Sequence, residues 1–468
     1  MKEYSLLELM EGLQNKTWTS VDLVDMYLER IYDIDQKGPA LNAIAEINPD
    51  VYEIAHEMDR IRETHGSNTM MHGIPVVIKD NINTHDKMHT TANSLALSDL
   101  YAPYEATLVK KLRDAGIIIL GKANLSEFAY FMGDEKMPSG YGSRNGQVKS
   151  PYHDDLDPLG SSTGSAVAVA ANMIPVSIGT ETNGSLTAPA QNNSVVAIKP
   201  TLGMVSRTGI IPISHLQDTA GPMARTVIDA AILLQFMYGR DKSDLMTYQT
   251  PKKNYNFVSA YKKSIQGKTI GFLRWTNEDY DEEEKAILDE AWETFRNKKA
   301  TVKNVYLESK PIPNHQSLIY EFKANLNHYL SSIRGHTEMH SLSDIISFNK
   351  THKEDCLKYN QAIFEAADKT SGTLTEPEYH KIRKSVLKEA RKMDHLLHDE
   401  GLDAIIMPRR TSHAPIAGNP VISVPAKPLN DLKPRSMCFV GKKWDDESLI
   451  NIAYHYETST KHRLKPKL

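Results

Sequence analysis

Three stretches of this chain gather residues able to move protons or to attack carbonyl and phosphoryl centres. The apolar run Gly73-Ile74-Pro75-Val76-Val77-Ile78 ends on Lys79, followed by Asp80 and Asn81. Gly160-Ser161-Ser162-Thr163-Gly164-Ser165 and Gly179-Thr180-Glu181-Thr182-Asn183-Gly184-Ser185 are both rich in Ser and Gly. Glycines let backbone N–H groups turn inward, as an oxyanion hole or a phosphate cradle requires. Taken singly, each stretch also has a plainer reading. A lysine after an apolar strand is usually a surface strand end, Ser161 reads as a helix N-cap and Ser185 as a turn residue.

Several chemistries fail on detail. No Lys-Ser or Lys-Thr closes the first Ser/Gly stretch and no dinucleotide fingerprint follows a strand, so nucleotide binding is excluded. His85 and His89 stand four apart without a Glu between them, which is a poor zinc pattern and reads as surface; no metal is expected. Gly160-Ser161-Ser162-Thr163-Gly164 formally matches the nucleophile elbow of α/β-hydrolase esterases, with Ser162 as nucleophile. An elbow must follow a buried strand, whereas residues 151–159 hold three Asp and two Pro.

The elements that must carry these residues follow from hydrophobic period. Ser5-Leu6-Leu7-Glu8 is a capping box opening a helix with Leu9, Met10 and Leu13 on one face, and a second helix begins at Ser20. A buried strand delivers Lys79, Ala106 to Ala115 is helical, and Ile117 to Leu120 is another strand. Gly133 to Leu159 is a long irregular connection whose Tyr141 and Tyr152 are candidates to line a cleft. Ser165 to Asn172 is a small-residue helix, Pro175 to Ile178 a strand, and Thr180 to Pro189 a polar loop. Helices and strands alternating in this way predict an α/β protein. From Lys252 to about residue 400 the chain is polar and helix-rich, clearest over Glu282 to Arg296 and Glu378 to His398, as an insertion or cap would be.

Composition sets outer limits. The 468 residues include 24% charged and 40% hydrophobic ones, with no long uncharged apolar run to span a membrane. A net charge of −4 and dispersed basic pairs exclude a nucleic-acid face and suit a small neutral or weakly charged substrate. Cys356 and Cys438 form no disulfide framework and no metal pattern. Glu8 and Glu11 inside the N-terminal helix interrupt any signal-peptide core, which gives the expectation of a cytoplasmic protein.

Taken together and in order, the three stretches resemble the successive motifs of the amidase signature family. The 24-residue separation between Ser161 and Ser185 matches the one that family keeps between its two catalytic serines. The likeness continues through Asp218-Thr219-Ala220-Gly221-Pro222-Met223-Ala224-Arg225 and returns at Ala417-Gly418-Asn419-Pro420-Val421-Ile422-Ser423-Val424-Pro425-Ala426. It therefore covers nearly the whole chain, weakest between about 275 and 400. It implies one domain over 1–468, with a central mixed β-sheet covered by helices on both faces. Packing helices would fill 1–65, the catalytic core 66–250, a divergent helix-rich part 251–400 and a return to the core 401–468.

By this resemblance Lys79 is the base, Ser161 a proton-relaying serine on a cis peptide bond, and Ser185 the nucleophile that forms an acyl-enzyme. The backbone N–H groups of Thr182, Asn183, Gly184 and Ser185 would form the oxyanion hole, without a cofactor. A lysine serves as base only if burial leaves it neutral. Many members place Gly-Gly-Ser-Ile-Arg where this chain has Asn183-Gly184-Ser185-Leu186-Thr187, so a substrate contact carried by that Arg is missing. Within the family the chain looks most like peptide amidases, on Asn81 to Thr84, Ser206 to Ser214 and Tyr320 to Leu326. A primary amide at the end of a peptide is the expected substrate, and a homodimer is left open. The competing readings are the ammonia-producing glutaminase component of a tRNA-dependent amidotransferase, which Glu181, Asn183 and Thr187 fit poorly, and an inactive binding protein on the same fold.

Overall fold

The computed structural model describes residues 2–133, 136–308, 310–428 and 433–468. Residues 134 and 135, inside the long connection, therefore lie outside the described residues. Thirteen strands occur among the described residues: β1 (Ile44–Ile47), β2 (Pro75–Lys79), β3 (Ile118–Ala123), β4 (Tyr141–Gly142), β5 (Gly146–Gln147), β6 (Val176–Glu181), β7 (Val196–Lys199), β8 (Thr219–Ala224), β9 (Thr269–Trp275), β10 (Thr301–Leu307), β11 (Ala404–Met407), β12 (Val421–Ala426) and β13 (Arg435–Gly441). β4 and β5 pair as a small hairpin. The other eleven form one sheet in the order β1-β3-β2-β6-β8-β7-β12-β13-β11-β9-β10.

The sheet is mixed. β3, β2 and β6 run parallel to one another, as do β11, β9 and β10, while the strands between β6 and β11 pair antiparallel. Every residue of β2, β3, β6 and β8 is buried. A strand buried on both sides reads as a continuous apolar run rather than an alternating one, which is why Val76-Val77-Ile78 and Ile118-Ile119-Leu120 are legible as strands. Helices supply the cover. The helix Thr163–Ala170 packs on β2, β3 and β6 and is buried on all sides. Its small side chains permit this approach: a Cβ on Gly164 would lie 2.3 Å from the Ala43 carbonyl and 2.5 Å from that of Asn124.

Two expectations change. The polar loop from Thr180 to Pro189 is shorter than its composition suggests, because β6 runs on to Glu181 and a helix begins at Thr187. The tract 251–400 is not purely a helical insertion, since β9 and β10 belong to the main sheet and close its edge. β10 is masked by its polarity: as an edge strand it keeps Thr301, Asn304 and Tyr306 exposed. The helices after it, Asn314–Ser332, Leu342–Thr351 and Ala362–Asp368, form a second apolar cluster around Phe322, Leu326 and Phe364. That cluster takes in Phe128 and Phe131 from the main body, so the helical layer is seated on the connection that follows β3. The N-terminal helices form as expected, each opened by a capping box, although the second is capped by Thr19 and starts at Ser20.

Candidate active site

β2 ends in the middle of the sheet, so the side chain of Lys79 has no route to solvent and is fully buried. The surface strand-end reading of this lysine is thereby replaced. Its Nζ lies 2.8 Å from Ser161 Oγ, 3.0 Å from Ser162 Oγ, 2.9 Å from Thr180 Oγ1 and 3.3 Å from the Thr180 carbonyl. Thr180 is in turn held by Asn81, whose Nδ2 donates to Thr180 Oγ1 at 3.0 Å. Burial pulls the Lys79 ammonium down to about 7, against the opposing carboxylates of Asp218 and Glu181. A neutral amine at ordinary pH is what a lysine base requires.

The two serines beside Lys79 are not equivalent. Ser162 Oγ donates to the Thr180 carbonyl at 2.9 Å and accepts the Thr180 N–H at 3.1 Å. Its proton is already committed, and toward Lys79 it can act only as an acceptor. Ser161, preceded by a cis peptide bond from Gly160, carries the hydroxyl whose proton Lys79 can take. Residues 151–159 contain no strand, so the elbow that would make Ser162 a nucleophile does not exist.

Ser185 stands on the turn between β6 and the helix Thr187–Asn192 and is half-buried, unlike Ser161 and Ser162. Its carbonyl accepts the Ser162 N–H at 3.2 Å, which ties the two Ser/Gly turns together; its hydroxyl makes no hydrogen bond among the described residues. Nor do the N–H groups of Asn183, Gly184 and Ser185 donate to any acceptor there, leaving them available for an oxyanion. Gly184 takes φ +92°, a conformation that only glycine adopts without strain. Glu181 Oε2 accepts the N–H groups of Leu186 (2.8 Å) and Thr187 (3.1 Å), capping the short helix and fixing the turn from below.

The site has members that sequence reasoning did not assign. Thr187, which stands where many family members place an arginine, is buried and donates its hydroxyl to Glu181 at 3.3 Å, so it faces the interior. The cation near the turn is instead Arg410, exposed and packed over Gly184, where a Cβ would be 2.8 Å from Nη1. Asn183 Nδ2 also donates to Ser412 Oγ at 3.2 Å, so the residues after β11 form one wall of the site. Thr180 and Asp218 each lie inside a motif, yet nothing in their spacing marks them. Tyr152 is not a cleft residue: its hydroxyl donates to the carbonyls of Asn193 (3.0 Å) and Leu464 (2.9 Å), anchoring the C-terminal tail. Tyr141 packs edge-on against Tyr359 of the helical layer, with ring centroids 4.9 Å apart. His85 is exposed as expected, while His89 is partly buried against Glu46. No cluster of His, Cys, Asp and Glu fit to hold a metal occurs among the described residues.

A buried lysine, a serine able to yield its proton to it and a half-buried serine on a turn of free N–H groups define the class of a serine-dependent acyl-transfer enzyme. Residues 22–420 match the amidase family, and the chain belongs to it. It is an amidohydrolase. It is 35% identical to a probable amidase of Arabidopsis thaliana, covering 100% of this chain and 92% of that protein. It is similar to the peptide amidase of Stenotrophomonas maltophilia, with a TM-score of 0.93, 39% identity, and coverage of 99% of this chain and 98% of that one. Its identity to the catalogued glutamyl-tRNA(Gln) amidotransferase component of Thermoanaerobacter pseudethanolicus is 31%, over 100% of this chain and 99% of that protein. Among the described residues no helix is long and apolar enough to cross a membrane.

Proposed function

We propose that this amidohydrolase removes ammonia from primary amides at the end of peptide-like acyl chains, with Ser185 as nucleophile, Ser161 as proton relay and Lys79 as base. The observation that carries the reading is the buried Lys79 amine 2.8 Å from Ser161 Oγ, in a place where Ser162 has no proton to spare. Neutral Lys79 accepts the Ser161 proton as Ser161 accepts that of Ser185, and the Ser185 oxygen attacks the amide carbon. Negative charge on the carbonyl oxygen is met by the N–H groups of Thr182, Asn183, Gly184 and Ser185. The proton held by Lys79 returns through Ser161 to the departing nitrogen, and water then cleaves the Ser185 ester by the same relay in reverse.

Likeness to peptide amidase along the whole chain supports the peptide-amide substrate, and ammonia as leaving group requires no pocket beyond the scissile bond. The same reading places the protein in the cytoplasm, where buried free thiols such as Cys356 and Cys438 stay reduced. The similarity to glutamyl-tRNA(Gln) amidotransferase keeps glutaminase activity as the second reading. One comparison separates them: kcat/KM for a blocked dipeptide amide, free glutamine, a short aliphatic amide and a fatty-acid amide. The dipeptide amide is expected to be clearly the best of the four. If glutamine leads, the peptide assignment falls. Labelling with a fluorophosphonate, mapped by mass spectrometry, is expected at Ser185; labelling at Ser162 would overturn the assigned roles.

A further inference from the structure

The carboxylate of Asp218 is fully buried at the start of β8, and each of its oxygens is used. Oδ1 accepts the Thr182 hydroxyl at 2.5 Å; Oδ2 accepts the N–H groups of Ile213 and Ser214, both at 2.8 Å. Ser214 donates its own hydroxyl to Glu321 on the helix Asn314–Ser332, and Glu321 also receives the Tyr379 hydroxyl at 3.1 Å from the helix Pro377–Asp399. A second line reaches the same place: Arg383 Nη1 donates to Gln217 Oε1 at 3.0 Å, and Gln217 Nε2 lies 3.4 Å from the Thr182 carbonyl. Both ends of Thr182, the first residue of the oxyanion turn, are thus held by groups anchored in the helical layer. Asp218 also lines one small cavity with Asn81, Thr180 and Thr182, the residues that surround the Lys79 amine.

We propose that Asp218 is a positioning residue of this site, fixing the oxyanion turn through Thr182 against the helical layer while facing the Lys79 amine with a carboxylate. The inference rests on the functional reading above and adds a residue to it. The charges around Asp218 leave it the role. Arg207 is engaged by Asp244 at Nε (2.8 Å), Glu321 and Arg383 face each other across 3.8 Å, and His215 is held by Asn325 at 2.9 Å. Glu181, the other carboxylate near Lys79, is engaged by the Leu186 and Thr187 N–H groups. Burial raises the Asp218 carboxyl to about 6, so it is ionised at neutral pH, where its charge favours the ammonium form of Lys79.

Asp218→Asn removes the charge at nearly constant volume. With the parent enzyme shown to be active and Ser185→Ala inactive, kcat of Asp218→Asn is expected to fall at least about tenfold with KM within about threefold. The acid limb of its pH–kcat profile is expected to move to lower pH, since the ammonium loses a stabilising anion. Thr182→Val should lower kcat without moving the limb, and Thr182→Ser should restore kcat. An unmoved limb in a folded Asp218→Asn enzyme, or a loss of kcat matching only the loss of folded protein, overturns the proposal. Should Asp218→Asn not fold, the Thr182 pair decides: equal kcat for Thr182→Val and Thr182→Ser overturns it. An active Ser185→Ala enzyme would instead refute the underlying assignment.

Discussion

At the scale of single residues, the site works by assigning protons. Lys79 Nζ has four oxygens within 3.3 Å, yet only Ser161 brings a proton that is not already committed. Replacing Lys79, Ser161 or Ser185 by Ala is therefore expected to cut kcat by about three orders of magnitude or more each, and the double variants no further, because the three act as one relay. Ser162→Ala removes a scaffold contact and should cost about tenfold, the worth of one net hydrogen bond. Steady-state kinetics on a dipeptide amide distinguishes the two classes. Below about pH 7 Lys79 holds its proton and the relay cannot start; above it the amine is neutral. Activity should rise with pH through that value, and a rate that fell on raising the pH from 6 to 8 would contradict Lys79 as base.

At the scale of elements, the catalytic geometry is made where strands end. β2 and β6 are parallel neighbours, so Lys79 at the end of one meets Thr180 near the end of the other. Ligand sites in open α/β sheets lie at such carboxyl ends. The turn after β6 then depends on Gly184 at φ +92° and on Glu181 capping the helix beyond it. Gly184→Ala introduces about 1 to 2 kcal/mol of left-handed strain and drives a Cβ into Arg410. A fall in kcat of about ten- to a hundredfold with a Tm lowered by only a few degrees is the expected result. A kcat equal to that of the parent would show that the turn does not hold the oxyanion.

At the scale of the whole molecule, distant pieces of chain are locked onto the sheet. Tyr152 bonds the carbonyl of Leu464, and the Leu464 N–H donates to Ser194 Oγ at 2.8 Å. Tyr152→Phe leaves both acceptors without this donor and should cost about 1 to 3 kcal/mol in urea unfolding, with kcat/KM unchanged. A changed kcat/KM for peptide amides would return Tyr152 to the cleft. The helical layer is seated through Phe322, which lies 5.1 Å from Phe131 and 5.3 Å from Phe364 between ring centroids. Phe322→Ala should cost about 3 to 5 kcal/mol. Because that layer holds Thr182 through Glu321 and Arg383, the variant should also lower kcat under conditions where it is fully folded.

What the sequence alone determined is the part governed by local rules. Continuous β-branched runs that needed cover on both faces announced β2 and β3, capping boxes announced the first helices, and glycines and serines at fixed offsets marked the two turns around Ser161 and Ser185. What the tertiary structure decided is what depends on which neighbours meet. Ser161 and Ser162 are adjacent and alike in sequence; only the Thr180 backbone, brought alongside by strand pairing, commits the proton of one and frees the other. Thr187 has the look of a surface substitution for a cation until the short helix turns it toward Glu181, while Arg410 reaches the same turn from a distant part of the chain. β10 carries an edge strand's polar alternation, and Asp218 is an ordinary Asp before a strand until neighbouring elements close around it. Burial and pairing are properties of the assembled chain, and they turned a lysine at the end of a strand into a base.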